Sequence, residues 1–231
     1  MLPPAPEIDI PPVIAVDGPS GTGKGSLCQR LASYLGWHLL DSGAVYRGLA
    51  YLALKEGACL ENPGQLARLA KGLDIGFLSL EEIRVLVGGE DVTESIRAEA
   101  CGSTASRIAE YVEVRQALLA KQRVFRKPPG LVADGRDMGT VVFPGAALKL
   151  YLTASPEERA GRRYKQLKEK GIDVNLQRLS EDIAERDKRD RKRAVAPLIA
   201  APNAVIIDTT EMGIDAVAQR VMQLIAERGL A

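Results

Sequence analysis

The chain of 231 residues is 46% hydrophobic and 26% charged, with a net charge of +1. That length accommodates one large α/β domain with a small insertion, and the near-neutral balance gives no global field to hold nucleic acid or an acidic membrane. No apolar run approaches the roughly 18 residues of a membrane span, and Cys28, Cys59, Cys101 and the single His38 lack the spacing of a disulfide framework or a metal cage.

Residues 1–11 are proline-rich and lack the basic and then apolar stretches of a signal peptide, so they read as a flexible tail on a reduced, cytoplasmic protein. Residues 12–231 read as one domain. Val13 to Val16 is a short apolar run, as a buried parallel strand requires. After Asp17 come Gly18, Pro19, Ser20, Gly21, Thr22, Gly23, Lys24, Gly25 and Ser26, then a helical pattern from Leu27 to Leu35. Glycines let such a loop bend sharply and turn successive N–H groups toward phosphate oxygens. The helix N-terminus adds partial positive charge, and Lys24 is placed to reach β- and γ-phosphates, so ATP is the expected ligand. A plain glycine turn is the bland alternative, and the full motif in its strand–loop–helix context speaks against it. A hydroxyl usually follows the lysine directly. Here Gly25 takes that slot, leaving Ser26 as the candidate Mg²⁺ contact, directly or through water.

The second run, His38 to Leu40, ends in Asp41-Ser42-Gly43-Ala44-Val45-Tyr46-Arg47. Asp41 or Ser42 can cap the next helix, and Arg47, about one turn in, is placed to meet an acceptor phosphate. Further on, Leu73 to Leu78 and Ile83 to Val87, followed by Gly88-Gly89, predict a small hairpin sheet. Residues 72–98 are thus expected to be an insertion that covers a substrate, with two more strands of the main sheet as the alternative. Leu131 to Ala133 leads into Asp134-Gly135-Arg136-Asp137-Met138-Gly139-Thr140. A carboxylate there resembles the acid that holds Mg²⁺ through water in P-loop enzymes, and Arg136 and Asp137 follow beyond the strand end.

Two more apolar runs, Ala147 to Leu152 and Ala204 to Ile207, complete a set of five. A strand repeatedly followed by a helix implies a parallel sheet covered on both faces, with ligands at the carboxyl ends of the strands. That rule singles out Asp17, Asp41, Asp134, Thr153 and Asp208. Pro156 to Gly171 is a helical pattern with Arg159, Arg162 and Arg163 at the spacing of one face. Glu185 to Arg193 mixes signs densely and would ordinarily be a solvated helix face. Phosphoryl transfer, however, needs several converging arginines, because its catalysis is mainly positioning and charge neutralisation. On a helix, Arg186, Asp190 and Arg193 share one side, while Lys188, Arg191 and Lys192 point elsewhere.

With these residues assembled, the chain closely resembles the bacterial cytidylate kinases from about Pro12 to near its C-terminus. The resemblance rests on GPSGTGKGS, WHLLDSGAVYR, LVADGRDMGTVVFP and ERDKRDRKRAVAPL in that order. It implies a three-layer P-loop NTPase fold with a five-stranded parallel sheet, a small β-containing monophosphate-binding insertion, and a short lid over residues 156–171. The implied reaction is ATP- and Mg²⁺-dependent phosphorylation of CMP and dCMP by a cytoplasmic monomer, with no nucleic-acid or membrane partner. It implies base recognition by Ser106, Arg115 and Asp137, sugar contacts from Arg186 and Asp190, and an acceptor-phosphate pocket of Ser42, Arg47, Arg136 and Arg193, beside Asp134. Lys24, Arg136, Arg193 and Arg162 are the expected catalytic residues, and Arg159, Arg162 and Arg163 the expected lid arginines over ATP. Cytosine also suits the chemistry: its exocyclic amino group can donate to Asp137, whereas the uracil carbonyl would be repelled.

Three other readings use the same loop. A shikimate- or sugar-type kinase explains the P-loop and arginines, but not the long insertion. A guanine-nucleotide switch would carry an Asn-Lys-x-Asp box, which is absent from the sequence. A non-catalytic nucleotide-binding module is the third.

Overall fold

The computed structural model describes residues 10–79, 83–169 and 171–230, so the expected tail lies almost wholly outside the described residues. The five apolar runs form one parallel sheet: β1 (Val13–Asp17), β2 (His38–Asp41), β6 (Leu131–Gly135), β7 (Leu148–Thr153) and β8 (Val205–Asp208), in the order β2-β6-β1-β7-β8. β1 lies at the centre and is buried along its whole length, as a parallel strand covered on both faces must be. Register aligns the strand ends, because Asp134 pairs with both Asp41 and Val16, and Thr153 pairs with Asp208. The polar residues closing these strands therefore share one edge of the sheet.

Two apolar layers sandwich that sheet. On one face, Leu27, Cys28 and Leu31 of α1 (Lys24–Leu35) pack with Val217, Val221 and Ile225 of α9 (Ile214–Glu227). Fully burying a leucine such as Leu27 contributes about 1.5–3 kcal/mol, so this face alone anchors the helix that carries the phosphate loop. On the other face lie α2 (Ser42–Lys55), α3 (Pro63–Gly72), α5 (Glu99–Ile108) and α6 (Val112–Arg123). Asp41 accepts from the Ala44 N–H at 2.8 Å, so it, rather than Ser42, caps α2.

The hairpin expectation is met by a separate antiparallel sheet: β3 (Ile75–Ser79), β4 (Ile83–Val87) and the short β5 (Glu90–Asp91). Its strands do not join the main sheet. It stands on the outer side of α2, where a Cβ added at Gly48 would meet Ile75 at 2.9 Å. The short α4 (Thr93–Arg97) leads from it into α5. Two expectations need correction. α1 begins at Lys24 instead of Leu27, since the Leu27 N–H already donates to the Gly23 carbonyl at 3.0 Å. β6 is followed not by an α-helix but by a single π-turn, Met138–Val142. Asp17 accepts from the N–H groups of Met138 and Gly139, each at 2.8 Å, and so fixes that turn against the end of β1.

The consecutive helices α7 (Pro156–Glu169) and α8 (Leu176–Lys192) enclose a small core of their own, Ala160, Leu179 and Ile183. Among the described residues, no helix is long and apolar enough to cross a membrane.

Candidate active site

The carboxyl edge of the sheet opens into a cavity of about 400 Å³. The phosphate loop forms its floor through Ser20, Gly21, Gly23, Lys24, Gly25 and Ser26. Gly18 and Pro19 lie behind it. A Cβ at Gly18 would sit 2.0 Å from the Leu152 carbonyl oxygen, so only glycine lets the loop leave β1 against β7. The Pro19 carbonyl accepts from Lys24 Nζ at 2.6 Å and from the Thr22 hydroxyl at 3.1 Å. Burial and the neighbouring Arg136 push the Lys24 ammonium down to about 7, with Asp134 pulling the other way. Burial raises Asp134 to about 6, against the pull of Lys24.

Above the loop, three arginines are held by acids of the same cavity. Arg47 meets Asp41 at 3.1 Å, Arg136 Nε meets Asp190 at 3.2 Å, and Arg115 is bonded to Asp137. Arg186 and Arg193 line the wall, each with a buried guanidinium nitrogen that has no protein partner. Burial and Arg136 push Arg186 down to about 10, and burial also lowers Arg193. For Asp190, burial works toward a raised value, but Arg136, Arg193 and Arg186 outweigh it and hold the carboxylate below its ordinary range. At the far end the Arg115 guanidinium lies 5.6 Å above the Tyr46 ring. The Ser106 hydroxyl there is buried and unpartnered. Ser42 donates to Gln122 at 2.8 Å and so lines the floor in a fixed rotamer.

The structure thus brings Lys24, Ser26, Ser42, Arg47, Ser106, Arg115, Asp134, Arg136, Asp137, Arg186, Asp190 and Arg193 into one cavity. Asp134 sits beside the phosphate loop, its carboxylate 3.6 Å from where a Gly25 Cβ would be, and away from the base end. Asp190 holds Arg136 of the strand end, although Arg186 stands one turn before it on the same helix. Of the described residues among 72–98, only Arg97 lines the cavity; the ceiling is made by Ala105 and Ser106 of α5 and by Ala109 just after it.

The three lid arginines do not act as one face. Arg159 is 2% exposed and bonded to Ser20, Ala154 and Asp187, so it cannot close over a nucleotide. Arg162 turns to Thr209 and Glu158, and lines a second cleft with Thr22, Ser26, Arg30, Thr210 and Met212. Only Arg163 faces the main cavity, while reaching Glu99 at 3.3 Å. Asp187, Gln122, Tyr46 and Arg97 were not foreseen as site residues. Asp187 was hidden in a charge-dense run, where a buried acid looks like its exposed neighbours.

The family model described as Cytidylate kinase matches residues 14–227. A protein named Cytidylate kinase from Aeromonas salmonicida is 57% identical over 91% of this chain and 92% of its own length. One of the same name from Nitrosococcus oceani is 59% identical over 91% and 94%. Among solved structures, a gluconokinase from Sinorhizobium meliloti 1021 aligns with a TM-score of 0.48 at 14% identity, covering 94% of this chain and 93% of its own.

Proposed function

We propose that this chain, which belongs to the cytidylate kinase family, transfers the γ-phosphoryl of ATP to CMP and dCMP, giving CDP and dCDP. The observation that carries the reading is the single cavity joining a phosphate loop to the Arg115–Asp137 pair, with arginines lining the space between. In the step itself, a phosphate oxygen of CMP attacks the γ-phosphorus, and the β–γ bridging oxygen leaves with the bond pair as ADP. No side chain needs to take a proton. The protein contributes position and charge.

Lys24 and the loop N–H groups hold the donor phosphates, and the second cleft beside Arg162 and Thr209 is the place for the adenine. Arg47, Arg136 and Arg193 meet the acceptor phosphate. Arg186 and Asp190 meet the ribose. Asp137 accepts from the cytosine amino group, while Arg115 donates to the base carbonyl. Residues 156–171 act as a lid only beyond Arg162, because the first turn of α7 is bound to the loop. Closure of the chain above the cavity would exclude water from the transfer.

The residues present also fit Mg²⁺. This ion keeps several waters and binds one or two carboxylates plus substrate phosphates. Asp134 and Ser26, which both line the cavity at the loop, supply that kind of partial shell, and among the described residues no cluster of three or more His, Cys, Asp or Glu competes. When bound, the ion would neutralise charge on the donor phosphates. Coupled measurement of ADP formation with CMP, dCMP, UMP, AMP and shikimate tests the whole reading. CMP and dCMP should be turned over best. Equal rates with all acceptors, or turnover of shikimate alone, would refute it.

A further inference from the structure

The pair α7–α8 has a small apolar core of its own, separate from both cores of the sheet. Among the described residues, the hydrogen bonding between this pair and the phosphate loop comes from one buried side chain. Arg159 donates to the Ala154 carbonyl at 3.2 Å, the Ser20 carbonyl at 3.1 Å and the Asp187 carboxylate at 2.6 Å. The loop fits tightly against that point. Gly21 has φ +81°, and a Cβ there would meet Arg159 Cβ at 2.9 Å and the Arg159 carbonyl oxygen at 3.1 Å. On the other side, Asp187 follows Arg186 in α8 and precedes Asp190 by one turn, and both of these line the acceptor end of the cavity. Neither Arg159 nor Asp187 lines the cavity or the second cleft.

From this arrangement we propose that Arg159 and Asp187 are positioning residues that dock the acceptor-side helix on the donor phosphate loop, so that filling one nucleotide site raises affinity at the other. This rests on the reading that the loop holds ATP and α8 faces CMP. The planar guanidinium suits the task, because its fixed fork can serve three acceptors in different directions at once, which a lysine ammonium on a flexible stem does less well. A loop held still by ATP holds Arg159 still, and through Asp187 it fixes Arg186 and Asp190. The ordering cost is then met once instead of twice, which is positive coupling without any direct contact between the ligands.

The experiment is titration calorimetry of CMP into the full chain, alone and saturated with a non-hydrolysable ATP analogue, for wild type, Arg159→Lys, Asp187→Asn and the exposed control Lys188→Ala. Wild type and Lys188→Ala should bind CMP about tenfold tighter with the analogue present, within the usual range for coupled sites. In Arg159→Lys and Asp187→Asn that ratio should fall toward one, while affinity for each nucleotide alone stays within about threefold of wild type, since single-site contacts are untouched. Asp187→Asn is nearly isosteric and decides the question should Arg159→Lys fail to fold. A wild-type ratio of one, an unchanged ratio in the variants, or equal loss of both single affinities would overturn the proposal. Wild type that binds the analogue but no CMP would instead remove the functional reading beneath it.

Discussion

Ser106→Ala should make the free protein slightly more stable and the enzyme worse. Ser106 lies on α5, is 5% exposed, and its hydroxyl is buried without a partner. A buried hydroxyl in that state costs the fold about 1–3 kcal/mol. Alanine removes the cost and leaves a void no larger than one oxygen atom, so a gain near the lower end, about 1 kcal/mol, is expected. For a chain of this size that raises the melting temperature by about 2–4 °C. The same hydroxyl lines the base end of the cavity beside Arg115 and Asp137. If cytosine satisfies it, losing one neutral hydrogen bond of about 1 kcal/mol weakens CMP roughly fivefold. Thermal melts without nucleotide and steady-state kinetics with CMP and ATP varied in turn give both numbers. Opposite signs are the signature. A variant that melts lower and keeps its KM for CMP would show that the hydroxyl serves the fold, and the base assignment would fail with it.

Lys24→Met should leave a folded protein whose kcat is lower by about three orders of magnitude, since preorganised charge at a transferring phosphoryl contributes several kcal/mol; an unchanged kcat would remove the loop from the reaction. Because Lys24 sits at about 7 in the free protein, it is largely neutral at pH 8, and ATP phosphates favour its charged form. Binding at pH 8 should therefore take up to about one proton per site, while at pH 6 this uptake from Lys24 should vanish. Calorimetry in buffers of different ionisation enthalpy measures it, and zero uptake at pH 8 would contradict the depressed value. Asp137→Ala should raise KM for CMP far more than KM for ATP and shrink discrimination against UMP, because the group repelling the uracil carbonyl is gone; equal losses for both substrates would place Asp137 in the scaffold.

The sheet was legible because strands buried on both faces are nearly continuous apolar runs: Val13 to Val16 and Leu131 to Ala133 could hardly be anything else. The phosphate loop was legible because its glycines and lysine have few other uses. Residues 93–108 were harder to read. Helices as short as α4 show little periodicity, so the sequence points to residues 72–98 as the cover, whereas Ala105 and Ser106 of α5 form the ceiling. The arginines of α7 mark the limit of spacing arguments. Arg159, Arg162 and Arg163 do sit on neighbouring parts of one helix, but a guanidinium reaches far from its Cα. Its direction is set by acceptors that sequence does not reveal, here the Ser20 carbonyl, the Thr209 hydroxyl and Glu99.

Five cations of the cavity divide into two classes by the direction in which their affinity for protons moves. Arg115 and Arg136 are held above the ordinary value although burial opposes it, because Tyr46 and Asp137 favour the charge on one, and Asp190 and Asp134 favour it on the other. Lys24, Arg186 and Arg193 are pushed down by burial, with too little negative charge near them in the free protein. A fold that buried all five without acids would face repulsion and desolvation that a single domain could not offset. The acids thus make the cluster foldable, and the second class marks where the free protein supplies too little negative charge. Stability of the free protein should then separate the classes. Arg136→Met leaves Asp190, 4% exposed, without its bonded partner, and should cost about 3 kcal/mol or more. Arg186→Met removes a poorly solvated charge with an unpartnered nitrogen, and should leave the melting temperature unchanged or higher, while CMP binding weakens. Chemical denaturation of both variants without nucleotide makes the comparison. Should Arg186→Met destabilise as much as Arg136→Met, Arg186 is held by the fold and is not waiting for a ligand.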